Sequence, residues 1–218
     1  MKRIEDVERT YKIIWIGNSG VGKTCLLQKA MDASFIEGKK STLGFDYQDF
    51  IIKVNYKKIL LQTWDTCGQE KFNSLVNIFY KRANLILLVY SIDDKSSFNS
   101  INFWLKEIHQ KATEDVRLML IGNKNDLKES REVSFEEWKN YADNNGFDYF
   151  CETSAKNEKA HFIIRKAAEI LYDYDRQKRR IHKNYIKHKL KLDEKSNINN
   201  ISLDMPNCID CFWFFVYV

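Results

Sequence analysis

No stretch of this 218-residue chain approaches the ~20 consecutive apolar residues that span a bilayer. The segment from Met1 to Tyr11 alternates charged and polar residues and lacks the apolar core of a secretory signal, so neither export nor a membrane span is expected. Cysteine is sparse. The five (Cys25, Cys67, Cys151, Cys208 and Cys211) are scattered, which excludes a disulfide framework and points to reduced thiols in the cytosol. Charge of one sign is also scarce: 35 basic against 30 acidic residues leave +5, too mild an excess to imply nucleic-acid binding. Part of that excess sits between Arg176 and Lys195, a segment that reads either as a solvated helix extension leading into a flexible linker or as a surface attracted to anionic membrane.

What is present is an ordinary hydrophobic fraction, 44%, in a chain long enough for one domain with its own core and a tail. Apolar runs of strand length recur between segments with helical spacing. Tyr11–Ile16 leads into a glycine-rich turn and a helix over Lys23–Met31. Phe50–Val54 and Ile59–Trp64 flank Asn55-Tyr56-Lys57, the pattern of an antiparallel hairpin. Leu85–Ile92 and Arg117–Ile121 are short and apolar, as buried parallel strands are. Between them Phe98, Ile101, Trp104, Leu105 and Ile108 recur at helical spacing. Ser134 and Glu137 form a capping box for a helix to Asn144, Phe147–Cys151 is a last strand, and Ala160–Tyr174 a last helix. This alternation predicts an α/β domain with a mostly parallel six-stranded sheet, one antiparallel edge strand and about five helices. Ligands of such sheets bind beyond the carboxyl ends of the strands.

The sequence from Gly17 to Thr24, Gly-Asn-Ser-Gly-Val-Gly-Lys-Thr, matches the phosphate-loop pattern in full. Glycines let successive backbone N–H groups converge on phosphate oxygens, and the helix that follows adds its positive end. Lys23 supplies a point charge to the β- and γ-phosphates, and the Thr24 hydroxyl suits Mg²⁺. The motif does not separate ATP from GTP, and an ordinary glycine turn is the plain alternative.

Two later segments bear on the base. Asn123-Lys124-Asn125-Asp126 follows the strand ending at Ile121-Gly122. A carboxylate there accepts two hydrogen bonds from guanine N1–H and N2–H₂, whereas adenine lacks the N1 proton and leaves Asp126 unpaired. Lys124 can lie along the base plane, and Ser154-Ala155-Lys156 can aim backbone N–H groups at the guanine carbonyl. The segment from Asp65 to Glu70 follows the third strand. There Asp65 is suited to hold Mg²⁺ through water, Gly68 to approach a γ-phosphate and Gln69 to orient an attacking water. Alone, each of these segments reads as a solvated turn.

In combination they resemble the Ras superfamily of small GTPases: a phosphate loop, Thr42 before Gly44, Asp65-Thr66-Cys67-Gly68-Gln69-Glu70, Asn123-Lys124-Asn125-Asp126 and Ser154-Ala155-Lys156, in that order. The flanks are similar to the Rab branch in particular, through the segments Ser41–Tyr47, Leu61–Trp64 and Phe79–Ala83. The resemblance covers about residues 8–175 and implies the three-layer fold of P-loop NTPases, with 176–218 as a basic, variable tail. It implies GTP and GDP as ligands with Mg²⁺, slow hydrolysis on the order of 10⁻⁴ s⁻¹ unassisted, and acceleration by an arginine supplied in trans. Nucleotide contacts then fall to Ser19, Gly20, Val21, Gly22, Lys23, Thr24, Cys25, Phe35, Thr42, Gly68, Asn123, Lys124, Asp126, Ser154, Ala155 and Lys156. Mg²⁺ falls to Thr24 and Thr42 directly and Asp65 through water, and catalysis to Gln69 with Lys23 and Gly68.

The implied partners are an exchange factor, an activating protein and effectors bound around Thr42–Tyr47 and Asp65–Tyr80. The implied protein is a monomer regulating vesicle traffic, cycling between cytoplasm and the cytoplasmic face of an internal membrane. Nucleic acid is not expected. Cys67 stands where the family has alanine, Arg82 where it has glycine, and Lys39 and Lys40 make the effector loop basic. The tail departs further. A C-a-a-X box needs its cysteine fourth from the end, where this chain has Phe215, so standard prenylation does not follow from Cys208 or Cys211. The run Phe212–Val218 is too short to span a bilayer but suits an interface. The alternatives are a P-loop kinase or ATPase, another Ras-superfamily switch, and a hydrolysis-impaired GTP-binding protein that recruits effectors.

Overall fold

A strand covered by helices on both faces must be apolar at nearly every position. The computed structural model describes residues 7–31, 45–66, 80–157 and 160–196, and its central strands follow that rule. β1 (Val7–Ile16), β4 (Leu85–Ser91) and β5 (Arg117–Asn123) are buried along their apolar lengths. Because side chains alternate across a strand, Ile13 and Trp15 of β1 join Leu87 and Met119 in one core. Ile14 and Ile16 join Leu88 and Leu120 in a second core on the opposite face. Each Ile or Leu buried in this way contributes about 1.5–3 kcal/mol.

With β2 (Phe45–Val54), β3 (Lys57–Thr66) and β6 (Tyr149–Glu152), the strands form one six-stranded sheet in the order β2-β3-β1-β4-β5-β6. All neighbours are parallel except the edge strand β2, which runs antiparallel to β3. The expected α/β sheet with one antiparallel edge strand is therefore present. The turn between β2 and β3 is tighter than the sequence implied. Lys57 belongs to β3, leaving Asn55 and Tyr56 at φ of 48° and 64°, the double left-handed turn that suits hairpin twist.

Five α-helices lie among the described residues. α1 (Lys23–Ala30) and α5 (His161–Ser196) cover the first core through Leu26, Leu27, Ile163, Ile164, Ala167 and Leu171. α2 (Lys95–Asn99), α3 (Ile101–Lys111) and α4 (Phe135–Asn144) cover the second through Phe98, Ile101, Trp104, Leu105, Ile108 and Trp138. Helix, sheet and helix make three layers.

Three local details depart from expectation. The helix read through Phe98–Ile108 is two helices meeting at Ser100, the first capped by the Asp94 carboxylate, which accepts from the Ser97 N–H at 3.1 Å. At α4, Ser134 Oγ accepts from the Glu137 N–H at 3.2 Å as expected, but the Glu137 carboxylate pairs with Lys95 instead of returning to the cap. Last, α5 does not stop near Tyr174 but runs on to Ser196, so the helix-extension reading of the basic segment holds. Nothing between Asp175 and Ser196 breaks a helix: glycine and proline are missing, and Lys, Arg and Leu favour it. The chain divides into two compact units, Met1–Tyr174 and Asp175–Val218. In the second, Ile181, Tyr185 and Ile186 are exposed.

Candidate functional site

In the strand order, β1 lies between β3 and β4, so connections leave it toward opposite sides and open a crevice beyond its carboxyl end. The phosphate loop occupies that point. Glycine is required there for steric reasons at two positions. A Cβ on Gly17, at φ +140°, would lie 2.1 Å from the Val89 carbonyl oxygen, and one on Gly22, at φ +94°, 2.2 Å from Asn123 Nδ2. The loop thus presses its backbone against β4 on one side and the base-side loop on the other. Gly22 is the N-cap of α1, with no side chain to offer the first-turn amides, and no acidic residue stands in that turn. The first turn contributes no carboxylate of its own to offset the positive end of the helix.

Lys23 is only 5% exposed, and its ammonium donates to the carbonyls of Gly17 and Asn18, both at 2.8 Å. Its charge is therefore held over the loop it begins from. The Thr24 hydroxyl donates to the Asp65 carboxylate, which is fully buried at the end of β3. A hydroxyl that gives its proton to Asp65 turns its lone pairs elsewhere, the orientation a metal ligand needs. Hydroxyl and carboxylate oxygens are the donors that Mg²⁺ accepts, and the glycine loop offers the close backbone approach that phosphates need. The residues present fit both groups.

On the base side, Asn123 acts as a brace. Its Nδ2 donates to the Val21 carbonyl at 2.7 Å, and its Oδ1 accepts from the Ala155 N–H at 3.2 Å, so one buried side chain ties the phosphate loop to the loop after β6. Lys124 adopts φ 64° and its ammonium lies 3.5 Å from Asp93. The Asp126 carboxylate accepts from the Ser154 hydroxyl. Ser154 Oγ in turn accepts from the N–H groups of Lys156 at 3.1 Å and Asn157 at 3.2 Å. The peptide N–H of Asn125 donates to Thr153 O at 2.9 Å. The loops after β5 and β6 are thereby one hydrogen-bonded unit.

The structure brings together Ser19–Cys25 and Asp65 around the phosphate loop, and Asn123, Lys124, Asp126, Ser154, Ala155 and Lys156 around the base side. Phe35, Thr42, Cys67, Gly68 and Gln69 lie outside the described residues. Two supports were not visible in sequence. Asp93 faces Lys124, and Arg131 holds Glu152 in a two-pronged pair at 2.6 and 2.8 Å directly before Thr153 and Ser154. Hydrogen bonding to Glu152 raises the guanidinium pKa above its usual value. An arginine and a glutamate 21 positions apart carry no local signal of pairing; Arg131 follows the short helical turn Lys128–Ser130, and Glu152 ends β6 beside Gly122 of β5.

The comparisons with known proteins agree with this geometry. The model of the Ras family matches residues 12–173. Ras-related protein Rab-11B of Dictyostelium discoideum is 46% identical over 154 residues, covering 70% of this chain and 70% of that protein. Ras-related protein RIC1 of Oryza sativa subsp. japonica is 45% identical over 147 residues, covering 67% and 72%. The human Ras-related protein Rab-30 is 41% identical over 153 residues, covering 70% and 75%. With the phosphate loop, the Thr24–Asp65 pair and the Asp126–Ser154 clamp all at the carboxyl ends of one sheet, the chain belongs to the Ras family and, within it, to the Rab group of small GTPases, which bind GTP and GDP with Mg²⁺ and hydrolyse GTP.

Proposed function

We propose that this chain is a Rab-type switch of vesicle traffic, with residues 8–175 as its GTPase domain and 176–218 as a basic tail. The observation that carries this reading is the clamp between Asp126 and Ser154. The Ser154 hydroxyl occupies one carboxylate oxygen of Asp126 and fixes the plane of the group, leaving acceptor capacity for the two donors that guanine presents. Asn123 then sets the distance between that base-reading pair and the phosphate loop through Val21. Lys124 lies along the base, and the backbone of Ala155 and Lys156 meets its carbonyl. Phe35 covers the ribose.

Backbone N–H groups from Ser19 to Cys25 and the Lys23 ammonium bind the phosphates. Mg²⁺, when bound, neutralises charge on the β- and γ-phosphates. Thr24 and Thr42 would hold it by their hydroxyls, and Asp65 through water. Thr42 and Gly68 sense the γ-phosphate through their N–H groups, so its loss releases both segments to partners that distinguish the two states. Gln69 orients the attacking water.

Exchange factor, activating protein and effectors bind around Thr42–Tyr47 and Asp65–Tyr80. Support comes from the Tyr47 and Trp64 rings, packed with centroids 4.7 Å apart on the edge pair β2–β3, a half-exposed aromatic surface of the kind enriched in interfaces. The tail brings the protein to anionic cytoplasmic membrane, each basic residue near the surface contributing about 1 kcal/mol. The crowding of Lys and Arg from Arg176 to Lys195 and the exposed Ile181 and Tyr185 support that role.

Single-turnover hydrolysis tests the switch. Protein loaded with GTP and Mg²⁺ should release phosphate on the order of 10⁻⁴ s⁻¹, and Gln69→Leu should keep GTP bound while release is suppressed. A variant hydrolysing at the parental rate would remove Gln69 from the mechanism.

A further inference from the structure

The phosphate loop is continuous with β1 before it and α1 after it, and it has a third attachment from the side. Trp104 Nε1–H of α3 donates to Asn18 Oδ1 at 3.0 Å, and Asn18 Nδ2 donates to Ser100 Oγ at 3.0 Å. Ser100 Oγ donates in turn to the Ser96 carbonyl at 2.8 Å. Both polar atoms of one carboxamide are thus engaged, one by α3 and the other by Ser100 at its junction with α2. Trp104 is 5% exposed and packed in the second core with Ile101 and Leu105, so its N–H cannot swing away without unpacking the helix. The main-chain carbonyl of the same Asn18 accepts from Lys23 Nζ, beside the carbonyl of Gly17. A side chain fixed at both ends sets the direction of its own peptide, and through that carbonyl the place of the Lys23 ammonium.

We infer that Asn18 is a positioning residue through which α3 governs how long the nucleotide stays bound. The inference rests on the reading of this loop and Lys23 as the phosphate site. When the link is cut, the peptide at Gly17-Asn18 turns, Lys23 loses its fixed position over the phosphates, and GDP escapes faster although no group that touches GDP has been removed.

Release of a fluorescent GDP analogue from the full chain at saturating Mg²⁺ tests it. Asn18→Ala should speed release about tenfold, and Trp104→Phe, which keeps the ring but not the N–H, by a similar factor; losing one or two hydrogen bonds corresponds to changes of this order. The double variant should be no faster than either single one, because both cut the same link. Asn18→Asp still accepts from Trp104 and can accept the Ser100 proton, so it should stay within about threefold of the parent. Leu118→Ala on β5 opens the same core without loosening α3, and should lower thermal stability while leaving release close to parental. Ser100→Ala, at a half-exposed position, supplies a milder cut should the buried substitutions not fold, with release about threefold faster. Parental release from Asn18→Ala or Ser100→Ala, additive effects in the double variant, or release from Leu118→Ala as fast as from Asn18→Ala would each overturn the inference. A parent that holds no GDP at all would overturn the assignment of the phosphate site itself, and with it this inference; the two failures are told apart by the parent alone.

Discussion

The two ends of the sheet are built differently. Where the parallel strands finish, the chain buries polar groups against one another: Asp65 with Thr24, Asn123 with Val21 and Ala155, Ser154 with Asp126, Lys23 with its own loop. Glycine stands at Gly17 and Gly22, where a Cβ would collide. Where the strands begin, the polar contacts are more exposed, as in Glu8 with Lys57, and residues with side chains occupy left-handed backbone: Asn55, Tyr56 and, before β4, Arg82 at φ 61°. The finishing end has one such residue, Lys124 at φ 64°, and its ammonium lies beside Asp93. The other left-handed positions there, Gly17, Gly20 and Gly22, fall to glycine. Buried polar groups are expensive to leave unpaired, so substitutions at the finishing end should cost far more than those at the starting end.

That contrast can be broken by measurement, from the largest expected effect downward. Gly17→Ala drives a methyl into the Val89 backbone carbonyl, which cannot step aside. A loss of about 3 kcal/mol or more in chemical denaturation is expected, together with loss of GDP binding. Asn123→Ala leaves the Val21 carbonyl and the Ala155 N–H without their buried partner. It should cost about 2–4 kcal/mol and speed GDP release, read in the same two experiments. Arg131→Ala strands Glu152, whose side chain is 11% exposed, and should cost about 1–2 kcal/mol. Its effect should be larger on nucleotide release than on the unfolding of nucleotide-free protein, since Glu152 adjoins Thr153 and Ser154.

At the other end the sign reverses. Tyr56→Gly places Asn-Gly in a turn whose second residue has φ 64°, and Arg82→Gly relieves a left-handed position. Each should raise Tm by about 2–4 °C, read by calorimetry, without altering GDP release. Stability lost at Tyr56→Gly, or gained at Gly17→Ala, would dissolve the distinction.

The finishing end was the more legible in sequence, because its chemistry is local. Gly17–Thr24, Asn123–Asp126 and Ser154–Lys156 are contiguous segments that in combination carry the family resemblance, although none does so alone. The buried strands were legible for a related reason: β4 and β5 face helices on both sides, so they read as unbroken apolar runs. Pairings across the fold were not. The Trp104 indole signalled a core position by its spacing, and nothing in that spacing revealed the hydrogen bond to Asn18 in a loop 86 residues away. Glu137 marked a helix start correctly, but its carboxylate went to Lys95, a competitor 42 positions distant that no capping pattern includes. The continuation of α5 past Tyr174 was legible in part: the basic segment reads as a solvated helix extension, and its helix propensity carries the helix to Ser196, whereas the apolar spacing that marks a packed helix ends near Tyr174.

Equilibrium competition between guanine and adenine nucleotides tests the assignment most directly. Full-length protein in Mg²⁺, loaded with labelled GDP, should exchange it for unlabelled GDP or GTP and ignore ADP and ATP in large excess. Asp126→Ala should lower guanine affinity by at least about a hundredfold, because the donors of the base then face no acceptor. Displacement by ATP as effective as by GTP, or an Asp126→Ala variant that binds GDP like the parent, would contradict a guanine site at the ends of these strands.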